Sequence, residues 1–311
     1  MKSKNVALVL SSGGARGIAH IGVIEELEKR GYNITSVSGT SIGAIIGGFY
    51  AAGKLDEYSE WVCSLGPVNI FNLIDVSFST KGIIKGKRVF KKMSEWMEGV
   101  TFEDLNIPFS CVAVDLKNRK EVVFNKGDVL QAIRASIAIP GYLEPQIIND
   151  ISLYDGGIMN PIPIDLVKKN PGDLVIAVDL NTYETNFNSR EYFNHDSEEE
   201  SNILNLMSEM WNNTTKHIES LQRRLSNETK EKEIVAHNKE KHLTHIGALT
   251  KMFDLIQENV TNQAIEKEKP DLVIRIPQNI CNIFEFHKSK ELVEFGRMRA
   301  IEALDIFEKQ Q

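Results

Sequence analysis

Apolar and polar positions switch between two periods along the first two thirds of the chain, which predicts strands and helices in turn. The run NVALVL at 5–10 is almost continuously apolar, as in a strand that is buried on both faces of a sheet. A helix is predicted next, over about Ile18–Arg30, because its isoleucines and leucine recur at helical spacing and Gly31 can end it.

The same alternation continues downstream. Further strands are predicted at ITSVSGTS, FSCVAVDL, KEVVFN, DLVIAVDL and DLVIRIP. AIIGGFYAAG predicts a buried helix, and DVLQAIRASIAIPGYL predicts a helix broken by Pro140. QIINDISLYDGG predicts a hairpin that turns at Asn149-Asp150. The expected fold class is therefore α/β: a mainly parallel sheet covered by helices on both faces.

A polar stretch at about 184–245 interrupts this alternation. It carries the charge clusters DSEEES and NETKEKE, with a helical stripe of apolar residues between them, and a further helix is predicted at about 246–265. We expect a single domain over residues 1–311 with an inserted helical extension. Docking of the stripe onto the main body is favoured over contact with lipid or a partner. The apolar residues of the stripe are Ile203, Met207, Met210, Trp211, Ile218, Leu221 and Leu225.

The composition and net charge of the chain bear on its partners, its cysteine chemistry and its location. The net charge of −7 over 311 residues, without a basic block, argues against nucleic acid as a partner. Three widely spaced cysteines do not suggest a disulfide framework or a zinc site. The N-terminus lacks the features of a cleaved signal peptide, and the longest apolar stretch is far below the ~20 residues that span a bilayer. We expect a soluble, cytoplasmic protein that can lie peripheral to a membrane.

The stretch SVSGTSIGAII carries the first candidate for chemistry. Gly39-Thr40-Ser41-Ile42-Gly43 fits G-x-S-x-G between a strand and a buried helix, which is the context of a nucleophile elbow. The glycines leave room for a tight turn, and the helix N-terminus favours negative charge on the serine oxygen. Ser41 is therefore a candidate nucleophile.

The glycine-rich turn SSGGARG follows the first strand. A dinucleotide-binding fingerprint would need G-x-G-x-x-G and an acidic residue ~20 positions later. Gly13 and Gly14 are adjacent instead, and the next strand ends in serine. The backbone amides of this turn are better interpreted as donors to a transient oxyanion next to Ser41.

The base that would serve Ser41 is less evident. A triad histidine normally follows a late core strand, and none of the seven histidines has that setting. Asp155, in LYDGGIMNPIP, lies at the end of a strand before two glycines, and it is either the base or an aspartate that forms a turn. The histidines are His20, His195, His217, His237, His242, His245 and His287.

Three separated motifs resemble those of the patatin-like phospholipase family, particularly its bacterial members: SSGGARGIAHIGVIEEL, GTSIGA and YDGGIMNPIP. RASIAIPGYLEP and FHKSKELVEFGRMRAIEAL resemble the family's stretch before the acidic motif and its closing helix. The resemblance covers about 5–183 and 246–307. It implies an α/β serine esterase that cleaves acyl esters of lipids with a Ser–Asp dyad and without histidine.

The resemblance also assigns the residues. It implies Ser41 as nucleophile and Asp155 as its base, and no metal or organic cofactor. The implied substrate is a lipid or lysophospholipid, met in transient contact with a membrane surface. The amides of Gly13, Gly14, Ala15 and Arg16 would form the oxyanion hole. The supporting motif residues would be Gly17, Gly39, Gly43, Gly156 and Gly157.

Two departures from the family pattern leave alternatives open. Ser12 stands where the family normally has the first of three glycines, and it would strain the loop if that position needs a positive φ. The extension is also longer than expected. These features support a rival interpretation, a non-catalytic lipid- or acyl-binding regulator; an α/β-hydrolase with a histidine triad is a second. Arg16 either helps with negative charge or, as we favour, holds the loop by a salt bridge.

Overall fold

A computed structural model of the chain describes residues 4–73, 76–79, 82–193 and 245–310. The helices are α1 (Ala19–Lys29), α2 (Ile42–Ala51), α3 (Leu55–Cys63), α4 (Pro67–Leu73), α5 (Lys87–Met97), α6 (Val129–Ser136), α7 (His245–Glu268) and α8 (Ser289–Lys309). The strands are β1 (Asn5–Leu10), β2 (Asn33–Thr40), β3 (Val76–Ser79), β4 (Gly82–Ile84), β5 (Phe109–Asp115), β6 (Lys120–Phe124), β7 (Gly141–Leu143), β8 (Gln146–Ile148), β9 (Ile151–Asp155), β10 (Leu174–Asp179) and β11 (Leu272–Arg275).

Eight of these strands form one mixed sheet in the order β11-β10-β1-β2-β5-β9-β8, with β6 also paired to β5. The five strands from β11 to β5 run parallel, while β9, β8 and β6 pair antiparallel. A smaller sheet joins β3, β4 and β7. The α/β class and the mainly parallel sheet predicted from the sequence are confirmed.

The two faces of the sheet are buried by different elements. Leu8 and Leu10 of β1 pack with apolar side chains of α1, α2 and α8, whereas Ala7 and Val9 face a smaller cluster that includes Ile265 of α7. Because successive side chains of a strand point to opposite faces, the unbroken apolar run at 5–10 requires cover on both. Helices do lie on both faces, as predicted.

Local signals in the sequence fix the segments that surround the site. Asn149 and Asp150 have φ of 49° and 61°, the left-handed conformations that a two-residue hairpin turn requires, and they join β8 to β9. α6 ends at Ser136, four residues before Pro140, so the chain is already irregular where the proline stands.

Most of the predicted extension, residues 194–244, lies outside the described residues. Residue contacts divide the chain into one compact unit of residues 1–193 and 253–311 and another of residues 194–252. The apolar stripe predicted at 203–225 lies outside the described residues. The helix predicted at about 246–265 is α7. Among the described residues, no helix is long and apolar enough to cross a membrane.

Helices α1 and α8 approach each other closely through two glycines. A Cβ at Gly22 would overlap the carbonyl oxygen of Val293, and a Cβ at Gly296 would overlap that of Ala19. Such contacts between backbones leave no room for even a methyl group.

We expect Gly296→Ala to destabilise the protein by about 1–3 kcal/mol, since the added methyl must push α1 and α8 apart. Denaturant unfolding measures the change. Gly66→Ala is the matched control, because a Cβ there meets nothing nearer than Asn69 Oδ1 at 3.5 Å. Equal stability of the two variants would contradict the close helix packing.

Candidate active site

Ser41 occupies a strained turn between β2 and α2. Its φ of 57° and ψ of −120° lie outside the regions that side-chain-bearing residues prefer, and its amide donates to Ser136 Oγ at 3.0 Å. A Cβ at Gly39 would overlap the carbonyl oxygen of Gly43, and a Cβ at Gly43 would overlap that of Leu10. The flanking glycines are therefore required by close backbone approach, as the motif predicts.

Asp155 meets Ser41 directly. Ser41 Oγ donates to Asp155 Oδ2 at 2.6 Å, the amide of Gly157 donates to Oδ1 at 2.7 Å, and the amide of Asp155 itself donates to the carbonyl of Ala138 at 2.9 Å. The topology accounts for the meeting, because β5 lies between β2, which leads to Ser41, and β9, which ends at Asp155.

Burial changes the acid–base character of this carboxyl group. Asp155 is 1% exposed, and desolvation raises its pKa to about 7, against the smaller lowering effects of the hydrogen bonds from Ser41 and Gly157. An exposed aspartate would be a weak base near neutral pH; this one is poised to accept a proton there.

The described histidines lie elsewhere. His20 is fully buried, its Nε2 lies 3.0 Å from the carbonyl oxygen of Ser11, and burial lowers its pKa to about 4. In the described part of the chain, no histidine is hydrogen-bonded to Ser41 or Asp155. The same residues contain no group of three or more His, Cys, Asp or Glu side chains that could hold a metal ion. Outside the described residues lie His195, His217, His237 and His242.

The glycine-rich loop lies beside the elbow and the turn that follows Asp155, since a Cβ at Gly17 would overlap Ile42 and a Cβ at Gly157 would lie 3.3 Å from Ser12 Cβ. The positive φ falls on Gly14, at 60°, and not on Ser12, so the strain considered for Ser12 does not arise. The amide of Ala15 already donates to the carbonyl of Ile283 at 2.9 Å. Among the hydrogen bonds of the described residues, none uses the amide of Gly13 or Gly14. The amides of Gly13 and Gly14 are therefore available to a ligand, whereas that of Ala15, which was also predicted for the oxyanion hole, is not.

Arg16 stabilises the conformation of the glycine-rich loop. Its side chain is 3% exposed and donates to the carbonyl of Gly13 at 2.8 Å, to that of Gln278 at 3.0 Å and to Asp254 Oδ1 at 3.3 Å. With its guanidinium bound to three acceptors, Arg16 braces the loop through a salt bridge, which is the structural role favoured from the sequence.

The remaining predicted motif glycines are positions of close packing. A Cβ at Gly17 would overlap the side chain of Ile42, and a Cβ at Gly156 would overlap the carbonyl oxygen of Val112. Both glycines thus allow the loops that carry them to lie against the elbow helix and the central strand.

Sequence reasoning missed three residues that support the site: Ser136, Asp254 and Gln257. Ser136 lies in the quoted stretch RASIAIPGYLEP, but nothing in the pattern assigned it the amide of Ser41. Asp254 and Gln257 lie on α7, far from the motifs in sequence. A Cβ at Gly157 would overlap the side-chain Nε2 of Gln257, so this glycine makes room for α7. The signal that could have found them is polarity on the helix face that packs inward.

An apolar cavity of about 190 Å³ is lined by a residue of α2 that lies one helical turn after Ser41. Ile45 lines it, and the amide of Ile45 donates to the carbonyl of Ser41. Ile137 and Ile139, which flank the Ala138 carbonyl that binds Asp155, form another wall. The other lining residues are Tyr58, Trp61, Val62, Leu65, Ile70, Leu73, Gly86, Val89, Phe90, Tyr142, Leu143, Phe284 and Phe286.

Comparison with known proteins identifies the family of this chain. A family model described as patatin-like phospholipase matches residues 8–168, about half of the chain, and this range contains Ser41 and Asp155. The chain belongs to the patatin-like phospholipase family. The resemblance seen in the motifs is thereby confirmed.

Several relatives of this patatin-like chain extend the comparison. It is 33% identical to uncharacterized NTE family proteins of Mycobacterium tuberculosis and Mycobacterium bovis, over 98% of this chain and 93% of theirs. It is 30% identical to lysophospholipase NTE1 of Candida albicans over 58% of this chain and 13% of that protein. The solved structure of VipD from Legionella pneumophila aligns with 99% of this chain and 67% of its own, at 12% identity and a TM-score of 0.47.

The strained backbone of the patatin-like elbow yields a stability prediction. Relief of the positive φ at position 41 is worth about 1–3 kcal/mol, more than the ~0.4–1 kcal/mol that glycine costs through a more flexible unfolded chain. We therefore expect Ser41→Gly to be more stable than Ser41→Ala in denaturant unfolding. Both variants lack the hydroxyl, so they differ in the Cβ and in the backbone freedom that its absence allows. A more stable alanine variant would contradict the strain.

Proposed function

We propose that this protein is a serine esterase that hydrolyses acyl esters of lipids, with Ser41 as nucleophile and Asp155 as its base. The observation that carries the proposal is the buried 2.6 Å hydrogen bond from Ser41 Oγ to Asp155 Oδ2. A nucleophile bonded to a group that can take its proton is the geometry that covalent acyl transfer requires.

In the first half of the reaction, Asp155 takes the proton of Ser41 as Oγ attacks the ester carbonyl. The tetrahedral oxyanion accepts hydrogen bonds from the amides of Gly13 and Gly14. One such donor typically stabilises the transition state by about 3–4 kcal/mol. The intermediate collapses, and the alcohol leaves with the proton held by Asp155. The acyl group stays on Ser41.

In the second half, water replaces the alcohol. Asp155 takes a proton from the water as its oxygen attacks the acyl-serine, and the oxyanion forms at the same amides. Collapse releases the fatty acid and returns the proton to Ser41 Oγ. One carboxyl group therefore serves as base and then acid in each half.

The apolar cavity supports an acyl chain as the group that is transferred. Its walls begin at Ile45, one turn beyond the nucleophile, and they are formed almost entirely by apolar and aromatic side chains. Lysophospholipase NTE1, which carries its activity in its name, is among the relatives. We therefore place phospholipid or lysophospholipid first among the substrates, and we infer that the protein meets them at a membrane surface from the cytoplasm.

Substitution of the two proposed catalytic residues tests the mechanism. We expect Ser41→Ala and Asp155→Asn each to lower kcat/KM on p-nitrophenyl esters by about 10³-fold or more, with the double variant little worse, because the two residues act as one unit. A fluorophosphonate probe should label the wild type and not Ser41→Ala. Because the free carboxylate is the active form and the pKa of Asp155 lies at about 7, activity should fall as the pH drops below that value.

Three outcomes would overturn this assignment. Labelling of Ser41→Ala would place the nucleophile elsewhere, and an active Asp155→Asn would remove the base. A folded wild type that neither turns over esters nor reacts with the probe would favour a lipid-binding regulator.

The size of the cavity predicts a chain-length profile. A cavity of ~150 Å³ can hold one benzene molecule, so the 190 Å³ here has room for about six to eight carbons. Each buried methylene contributes about 0.8 kcal/mol. We expect kcat/KM on p-nitrophenyl esters to rise with acyl length up to that limit and then level off.

Ile45→Trp would fill the cavity and should move the preferred acyl length to shorter chains while acetate ester hydrolysis continues. Ile306→Trp, on the exposed outer side of α8, is the matched control and should leave the profile unchanged. Circular dichroism establishes that both variants fold. A folded Ile45→Trp with the wild-type profile would show that the acyl chain binds elsewhere.

A further inference from the structure

Helix α7 buries two polar residues beside exposed apolar ones, although its Ile265 packs with the apolar cluster on the sheet. Gln257 and Thr261 are buried, at 2% and 0% exposure, while Leu255 and Ile256 are exposed, at 63% and 40%. A helix that only covers a sheet buries its apolar residues and exposes its polar ones. Burying a polar group costs free energy unless it makes specific contacts. The Thr261 hydroxyl accepts from Asn181 Nδ2 at 3.1 Å, so the burial of the Gln257 side chain is what calls for an explanation.

The first contact of this face is with the glycine-rich loop. Asp254 Oδ1 accepts from Arg16 Nη2 at 3.3 Å, and Arg16 Nε donates to the carbonyl of Gly13 at 2.8 Å. Gln278 adds a second link, since it accepts from Arg16 through its carbonyl and donates to the carbonyl of Asp254 at 3.4 Å. The conformation of the loop that presents Gly13 is thus tied to α7.

The second contact, less than one turn further along, is with the acid loop. The side-chain Nε2 of Gln257 occupies the space that a Cβ at Gly157 would need, and Asp155 Oδ1 lies 3.0 Å from the position of that Cβ. The amide of Gly157 is the group that donates to Oδ1. Gln257 therefore packs on the peptide that fixes the orientation of the Asp155 carboxylate.

We propose that α7 completes the active site, with Gln257 as a positioning residue for the acid loop (residues 155–157) and Asp254 as one for the glycine-rich loop. This inference rests on the proposed function. Neither residue touches the reacting atoms; each acts through a neighbour, Gln257 through Gly157 and Asp254 through Arg16. Both lie outside residues 8–168, so this support comes from a part of the chain that the family model does not match.

The charges around Asp155 make the role of Gln257 measurable. Among the described residues, the carboxylate of Asp155 accepts hydrogen bonds from Ser41 and Gly157, neither of which carries a charge. Arg16 and Asp254, on the two elements packed nearby, are bonded to each other. A carboxylate introduced at position 257 would therefore face Asp155 with no cation assigned to it, and like charges disfavour ionisation of the neighbour.

The decisive experiment is the pH dependence of kcat/KM for Gln257→Glu. We expect its acidic limb to move upward by about one pH unit or more relative to the wild type, because the new carboxylate repels the charged form of Asp155. Gln263→Glu, the same substitution at an exposed position of α7, is the matched control and should leave the limb in place. A merely structural role for Gln257 would lower stability without moving the limb.

Two variants that introduce no charge test the acid loop and the glycine-rich loop one at a time. Gln257→Leu should lower kcat by about tenfold or more while KM changes little, since misplacement of a catalytic group costs rate more than binding. Asp254→Asn should also lower kcat, by weakening the hold of Arg16, but should leave the acidic limb unmoved. Glu266→Gln, an exposed neutral substitution on α7, controls for the lost charge and should match the wild type.

A titration that needs no turnover keeps this inference distinct from the proposed function. The protonated carboxyl of Asp155 can be followed by infrared difference spectroscopy, with Asp155→Asn as the blank, and Gln257→Glu should raise its midpoint. A wild type without Ser41-dependent hydrolysis would overturn the proposed function, and the titration would still decide the position of Gln257. An unmoved midpoint, or wild-type kcat in both Gln257→Leu and Asp254→Asn, would overturn the inference.

Discussion

One buried hydrogen bond, from Ser41 Oγ to Asp155 Oδ2, sets the demands on the rest of the structure. Its partners are 114 residues apart in sequence and must meet within 2.6 Å. The sheet order brings β2 and β9 to either side of β5, and the glycines at the elbow allow backbone to approach where side chains would collide. The amide-to-carbonyl bond from Asp155 to Ala138 then fixes the carboxyl end of β9. The rest of the site is arranged around this pair.

The burial that creates the pair also has a cost in stability. Desolvation raises the pKa of Asp155 to about 7, which supplies a base near neutral pH. Below the ordinary pKa of aspartate, Asp155 is protonated in the folded and the unfolded state, and its contribution to the free energy of unfolding is complete. This contribution is lost as the pH rises through the raised pKa of the folded state, because Asp155 ionises less readily when the protein is folded. Strain at Ser41 and the buried, unpartnered hydroxyl of Ser12 add to this cost. The features that lower stability thus lie at or next to the residues proposed for catalysis.

Features that depend on neighbours in sequence were predictable, and those that depend on distant packing were not. The apolar run of β1, the G-x-S-x-G turn and the Asn149-Asp150 hairpin each carry their own local cause. The sequence could indicate Asp155 only as one of two possibilities, because its contact with Ser41 depends on strand order. It could not show that the Ala15 amide is already bonded to Ile283, nor that Gln257 packs on Gly157. Both facts arise where segments more than 90 residues apart meet.

A loop built from glycines gains room for a substrate but loses the side chains that would hold it in place. Leu180 and Ile283 occupy the space that side chains at Gly13 and Gly14 would need, and the conformation of the loop is held from outside it. Arg16 supplies that hold with three donors, and its only charged partner in the described part of the chain is Asp254. The acid loop has the same difficulty at Gly157, where Gln257 occupies the missing side chain's space. Helix α7 thus contacts both glycine motifs, through Gln257 at Gly157 and through the ion pair of Asp254 with Arg16, and these contacts account for polar residues on the inner side of a helix outside the matched family region.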